Sequence, residues 1–200
     1  MSDVSATQVR ELREKTGAGM LDCKKALSES AGDMDKAVVY LRERGLAAAA
    51  KKSTRTAAEG LVGSYIHTTG KIGVLLEVNC ETDFVARTPD FQALLKDITM
   101  QVCAANPRFV RREEVPESVI ASEQEIYRAQ MADSGKPPQV VDKIVVGKLE
   151  KFFAETCLME QAFIREPERT VGQLVTDAIA KLGENVVIRR FARFQVGEQI

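Results

Sequence analysis

The stretch LVGSYIHTTGKIGVLLEVNC, Leu61 to Cys80, decides the fold, because here the apolar period changes from helical spacing to two. Leu61 to His67 and Ile72 to Cys80 flank TTGK, a four-residue turn with Gly70, and read as a β-hairpin. In the second strand Ile72, Val74, Leu76, Val78 and Cys80 fall on one face. On the other, Leu75 is followed by Glu77 and Asn79, the mark of a sheet covered on one side only.

Upstream of the hairpin the chain reads as helical. Ser5 to Gln8 has the form of a capping box, Val9 and Leu12 follow as an apolar pair, and Gly17 stops the first helix. A second is expected from Met20 to about Ser30, with Met20, Cys23 and Leu27 at helical spacing. The third opens at Asp33 and carries Met34, Ala37, Val38 and Leu41 at i, i+3, i+4 and i+7. It is expected to end before Gly45. Helices this short are not stable alone and must pack as a bundle. AAAAKKSTRTAAEG, Ala47 to Gly60, has little to bury and reads as a linker. The expected organisation is a three-helix bundle over 1–52, a linker over 53–60 and a second domain over 61–200.

Downstream, Thr88-Pro89 offers an N-cap with proline at the first helical position. The helix it opens aligns Phe91, Leu94, Leu95, Ile98 and Val102 and stops at Asn106-Pro107. Residues 116–153 read as two amphipathic helices split by SGKPP, Ser134 to Pro138. The first carries a thin stripe of Ile120, Tyr127 and Met131; the second, a richer one of Val141, Ile144, Val145, Leu149 and Phe152. Such a pair suits a projecting helical hairpin. A last helix follows Thr170, with Gln173 completing a capping box, and reaches Gly183. VVIRRFARFQV, Val186 to Val196, closes the chain as a strand whose Arg189-Arg190 pair breaks alternation and hints at a bulge or an edge. Strands at both ends of this region with helices between imply an α+β fold, an antiparallel sheet of about three strands with helices on one face.

Composition narrows the function. Of 200 residues, 44% are apolar and 28% charged, ordinary for a globular chain. Residues 1–55 hold 11 basic against 8 acidic side chains, and the remaining 145 hold 17 against 21, so no basic stripe argues for nucleic acid. Cys23, Cys80, Cys103 and Cys157 are scattered without a CxxC pair, and His67 is the only histidine, so neither a metal nor another cofactor is expected. No secretion signal and no membrane-spanning apolar run is visible, and free thiols then point to a reducing cytoplasm.

Phosphate-loop, zinc-protease, nucleophile-elbow and calcium-loop motifs are all lacking. TGAG, Thr16 to Gly19, joins two helices instead of following a strand, so it reads as a tight turn. His67 alone supplies no acid–base pair, and Glu113-Glu114 beside Arg111-Arg112 reads as the solvated start of a helix. An enzyme is disfavoured.

What remains suits a protein partner. Met20 and Leu21 open a helix where only one of the two can comfortably face the bundle core. NCETDFVAR, Asn79 to Arg87, sets Asp83 and Phe84 side by side where the chain should be turning. A ring left in water forgoes roughly 1.5–3 kcal/mol of burial. Either it folds into this protein's own core or it is kept for another's, and the residues alone leave both open.

Three segments, VRELREKTGAGMLDCKKAL (Val9 to Leu27), EVNCETDFVAR (Glu77 to Arg87) and KLGENVVIRRFARF (Lys181 to Phe194), resemble the bacterial elongation factor Ts family, with similarity essentially from end to end. The resemblance implies a guanine-nucleotide exchange factor for elongation factor Tu, with a bundle like a ubiquitin-associated domain docking on the partner's GTPase domain. It implies that Met20, Leu21 and Asp22 lie in that contact with Lys24 close by. It also implies that Thr82, Asp83, Phe84 and Val85 dislodge the partner's Mg²⁺, Phe84 as a wedge. This chain lacks the second core repeat and C-terminal module of longer members, so the resemblance implies a homodimer, with Phe191 and Phe194 of the closing strand in the interface. Where some short members carry a cysteine in that strand, Ala192 stands here, so no intersubunit disulfide is expected at that point. The competing readings are a nucleic-acid-binding protein, resting on Lys51, Lys52, Arg55 and the arginine pairs, and a ubiquitin-type adaptor resting on the bundle alone. Neither a membrane nor sequence-specific nucleic acid is an expected partner.

Overall fold

Local signals account for most of the helix ends. In the computed structural model, which describes residues 4–132 and 134–198, the first helix α1 spans Ala6–Thr16 behind the expected capping box. Ser5 Oγ accepts from the Gln8 amide at 3.2 Å, while the Ser5 amide donates to Gln8 Oε1 at 3.1 Å. Gly17 ends it in the left-handed region, φ 68°, its amide donating to the Arg13 carbonyl. Next come α2, Met20–Glu29, and α3, Met34–Lys52, the latter capped by Asp33 accepting from the Lys36 amide at 3.0 Å. These three helices enclose Val9, Leu12, Cys23, Ala26, Leu27 and Ala37.

The third helix does not end before Gly45. It continues through Ala47–Ala50, a run of the strongest helix formers, to Lys51 and Lys52, whose charges suit a helix C-terminus. Gly45 is buried in mid-helix, where a Cβ would lie at an ordinary contact distance of 3.5 Å from the Ala180 Cβ, so it is a packed helical position and not a stop. The stretch from Ala47 to Gly60 therefore gives its first six residues to helix and its last two to strand β1, Glu59–Ile66.

That strand pairs with β2, Ile72–Cys80, and β5, Val186–Gln195, in a three-stranded antiparallel sheet of order β1-β2-β5. The turn closes as expected: the Gly70 amide donates to the His67 carbonyl at 2.7 Å, and Gly70 takes φ 67°. On β2, Val74, Leu76, Val78 and Cys80 are buried, while Leu75 is half exposed. β5 lies at an edge, and its alternation slips at the arginine pair. Val186 and Ile188 are buried, Arg189 and Arg190 are both exposed, and beyond them Phe191 and Arg193 are the more covered.

Between β2 and β5 lie α4 (Asp83–Ala86), α5 (Pro89–Ala105), α6 (Glu117–Ala129), α7 (Pro138–Thr156) and α8 (Val171–Leu182). A small hairpin of β3, Ala162–Phe163, and β4, Glu166–Thr170, precedes α8; the polar run EPERT hid it from sequence reading. In the helical hairpin Val145, Leu149, Phe152 and Phe153 of α7 are buried, with Ile120 and Tyr127 of α6 packed against them. Nothing on α6 is fully buried, as its thin stripe implied.

The arginine and glutamate run does not start a helix of any length. Residues Arg112–Glu114 form one 3₁₀ turn. Arg112 pairs with Glu160 at 2.6 Å and Glu150 at 2.9 Å, and lies 4.6 Å from the centre of the Phe153 ring. Those carboxylates hold the guanidinium even more firmly protonated than usual.

The chain forms two compact units. One comprises Met1–Leu61, Val78–Leu95 and Gln173–Val187; the other, Val62–Glu77, Lys96–Gly172 and Ile188–Ile200. Among the described residues no helix is long and apolar enough to cross a membrane, and no group of His, Cys, Asp or Glu is placed to hold a metal ion. All four cysteines are buried and unpaired.

Candidate functional site

The residues singled out by the sequence for contact with a GTPase, Met20 to Asp22, Lys24 and Thr82 to Val85, all belong to the first unit, whereas Phe191 and Phe194 of the closing strand belong to the second. Thr82 to Val85 do not lie in a loop, as their turn-like position suggested, but form most of a one-turn helix. Thr82 is its N-cap, Oγ1 accepting from the Val85 amide at 3.4 Å, and α4 follows from Asp83 to Ala86. Thr88 Oγ1 then donates to the Val85 carbonyl at 2.7 Å and accepts from the Phe91 amide at 3.3 Å, so one hydroxyl closes α4 and opens α5.

A helix of four residues has no stability of its own. Its order comes from a carboxylate far along the chain. Glu184 accepts from the Glu81 amide at 3.1 Å, the Thr82 amide at 3.0 Å and Thr82 Oγ1 at 2.7 Å. A negative charge on the amides leading into a helix N-terminus is favoured by the helix dipole, and such bonds are stronger than neutral ones. The clamp is mutual. Glu81 Oε1 accepts from the Asn185 amide at 2.6 Å, and buried Asn185 donates from Nδ2 to the Arg55 carbonyl at 2.8 Å. Burial together with the nearby Glu184 charge pushes the Cys80 thiol up, leaving it neutral beneath the turn.

On this fixed base Ala86 is the buried anchor and Phe84 points away from the fold, 79% exposed. Val85 is half-buried beside it. Asp83 lies on the same turn, its Oδ2 2.8 Å from Arg87 Nη2 in an exposed i,i+4 pair. The ring is therefore outside the protein's own core, at the tip of a turn too well bonded to be a frayed accident.

The bundle presents a second apolar pair. Met20 is 56% and Leu21 84% exposed, so neither faces the core, against the expectation that one of them would. The core side of α2 is filled instead by Cys23, Ala26 and Leu27. Burial raises the Cys23 thiol above its ordinary value. Asp22 and Lys24 are exposed, Asp22 Oδ1 sitting 3.4 Å from Arg44 Nη1.

Helix α8 supports both parts of the unit. Ala180 faces Gly45, the Ile179 carbonyl accepts from Lys52 Nζ at 3.4 Å, and Lys181 pairs with Asp90 at 2.8 Å. Two residues past its end comes Glu184. Sequence reading missed Glu81, Glu184 and Asn185. The available signal was KLGEN itself, two polar residues between a glycine helix stop and a buried strand, where side chains of that kind need partners.

A family model described as Elongation factor TS matches residues 33–198. The chain is 63% identical over 195 residues to an elongation factor Ts of Heliobacterium modesticaldum, covering 98% of this chain and 91% of that one. It is 61% identical over 197 residues to an elongation factor Ts of Thermoanaerobacter sp., covering 98% and 97%. With an elongation factor Ts of an Anaeromyxobacter species it shares 61% over 198 residues, covering 99% and 90%.

Proposed function

The chain belongs to the elongation factor Ts family of translation elongation factors, and from that premise we propose that it promotes guanine-nucleotide exchange on elongation factor Tu in the cytoplasm. The observation that carries the reading is Phe84, held almost wholly in water on a turn that Glu184 keeps rigid. Burying such a ring in a partner returns roughly 1.5–3 kcal/mol, and a preorganised turn spends little of that on ordering itself.

The chemistry needs no acid, base or nucleophile on this chain, which supports a non-enzymatic role. A GTPase holds GDP through backbone amides around the phosphates and through Mg²⁺, which neutralises their charge. Phe84, entering between elements of the GTPase domain, would shift the supports of that ion, with Thr82 and Val85 flanking the wedge and Asp83 engaging groups at its mouth. Met20, Leu21 and Asp22, with Lys24 beside them, would dock the bundle. Coupling is reciprocal: a factor that weakens GDP binding is itself weakened by GDP to the same degree. Either nucleotide can then expel it, and the excess of GTP sets the direction.

The test is stopped-flow release of fluorescent GDP from elongation factor Tu. Phe84→Ala is expected to slow the accelerated release by about tenfold or more, as loss of an interface hot spot does. Because the ring is 79% exposed, its loss should leave the protein's own stability within about 0.5 kcal/mol. Parent-like acceleration by Phe84→Ala would end the wedge reading.

Two copies are proposed to act together. The outer side of the sheet exposes Val62, Ile66, Leu75 and Phe194, more apolar surface than a lone sheet face usually leaves wet. Light scattering should return twice 22.0 kDa at micromolar concentration; a mass of one chain would remove the dimer from this account.

A further inference from the structure

Two contact points grip one partner well only if the distance between them is set. Met20 and Leu21 open α2 in the bundle, and Phe84 stands on α4, 63 positions after Leu21. The backbone joining the bundle to the sheet runs through residues 53–58, which form neither helix nor strand. Six such residues without tertiary bonds would let the bundle swing.

That stretch is tied down by Asn185, which is 3% exposed. Its Nδ2 donates to the Arg55 carbonyl at 2.8 Å and to the Ser53 carbonyl at 3.5 Å. Arg55 Nη1 in turn lies 3.5 Å from Glu81 Oε1, the oxygen that also accepts from the Asn185 amide at 2.6 Å. The exit from the bundle and the residue ahead of Thr82 therefore meet at one buried side-chain amide.

Other contacts follow the same seam. Lys52 Nζ donates to the Ile179 carbonyl at 3.4 Å, and Gly45 faces Ala180. Lys181 Nζ, paired with Asp90 at 2.8 Å, also lies 4.0 Å from where a Cβ on Gly17 would stand, at the turn before Met20. The Lys181 pair is half exposed, and such pairs contribute little. Bonds to a buried amide weigh more, because a partner left without its donor is costly there. Glu184 and Asn185 are thus neighbours with separate tasks, one setting the turn that carries Phe84 and the other holding the end of the bundle.

Resting on the exchange role above, we propose that Asn185 is a positioning residue that fixes the bundle to the α4 turn, so that Met20, Leu21 and Phe84 form one preset two-point surface for the GTPase. The partner then gains its second contact without ordering the chain between the two.

Asn185→Ala tests this, because it keeps the backbone amide that Glu81 accepts and leaves Glu184 in place. Half-maximal acceleration of GDP release should need about tenfold more factor, while the maximal rate stays parent-like. The constraint can be restored elsewhere: a Cβ on Gly45 lies 3.5 Å from the Ala180 Cβ, within disulfide range. Oxidised Gly45→Cys/Ala180→Cys added to Asn185→Ala should return the half-maximal concentration to the parent value. The same cross-link in the parent should leave acceleration unchanged, a measurement that needs no folded Asn185→Ala. A readout without elongation factor Tu keeps this separate from the exchange role. Nitroxide labels on Leu21→Cys and Phe84→Cys, the natural cysteines being buried, should report one narrow distance in the free protein and a broad spread with Asn185→Ala. These distances stand or fall independently of what Phe84→Ala does to GDP release. A broad spread without Asn185→Ala, a narrow one with it, an unchanged half-maximal concentration, a maximal rate that falls, no rescue by the cross-link, or a cross-linked parent that loses acceleration would each overturn the assignment.

Discussion

Glu184→Gln tests whether the exposed ring is held in place or merely exposed. In the parent, one carboxylate receives three donors, the Glu81 and Thr82 amides and Thr82 Oγ1, at 2.7–3.1 Å. Glutamine keeps the shape but loses the charge: with its oxygen on the two amides, its NH₂ faces Thr82 Oγ1, which can no longer donate to it, and every remaining bond is a weaker neutral one. Hydrogen bonds to charged groups contribute about 1.5–3 kcal/mol by substitution, and three sharing one group are far from additive. Glu184 is only half-buried, so water can replace part of what is lost. A net cost of about 2 kcal/mol follows, roughly thirtyfold in the equilibrium for opening the turn. Native-state hydrogen exchange reads this directly. The Thr82 and Val85 amides should exchange roughly thirtyfold faster, while amides deep in α5, such as Ile98, change little. GDP release from elongation factor Tu should slow, but by less than with Phe84→Ala, because the ring is still present part of the time. Unchanged protection at Thr82 would refute the clamp. A uniform loss of protection through the chain would refute it equally, showing that Glu184 stabilises the whole fold and not this turn.

Two other expectations follow from packing and burial. Gly45→Ala should raise stability by about 0.5–1 kcal/mol, since the position is mid-helix and the added methyl would meet Ala180 at an ordinary 3.5 Å; a lower urea midpoint would mean that α3 cannot accept it. Cys23, Cys80 and Cys157 all have thiols raised above 9.0, chiefly by burial. An acid whose folded value is raised keeps its proton longer in the folded state. Its contribution is therefore complete below the unfolded value and is lost as pH rises through the folded one. Under reducing conditions the urea midpoint should fall between about pH 8 and about pH 10, and fall less in Cys80→Ala; equal slopes for the two proteins would contradict this.

Much of the scaffold was legible because its signals are local. Ser5 with Gln8, Asp33, Thr88-Pro89 and the period-two run through β2 each specify an element within a few residues, and the helices and strands begin there. Gly45 misled for the opposite reason. A glycine reads as a stop when only its chain neighbours are known, whereas here it is a buried mid-helix position facing Ala180, 135 positions away, in a helix that the following alanines carry on. Leu21 and Met20 misled through geometry: Gly19 caps the helix, so both fall in its first turn, ahead of the first core residue, Cys23.

The candidate site divides along the same line. Asp83 and Phe84 are conspicuous in the sequence because a ring and a carboxylate sit where a strand gives out, yet nothing nearby says whether the ring goes in or out. The deciding residue is Glu184, 102 positions from Thr82, and it looks like any surface glutamate after a helix. By taking the amides of Glu81 and Thr82, it fixes the direction in which α4 starts. Once Thr82 caps that turn and Ala86 is buried beneath it, Phe84, two residues before Ala86, is carried to the opposite side. The exposure of the ring is thus a consequence of the clamp's geometry, and a partner able to bury it would meet a ring already set in place.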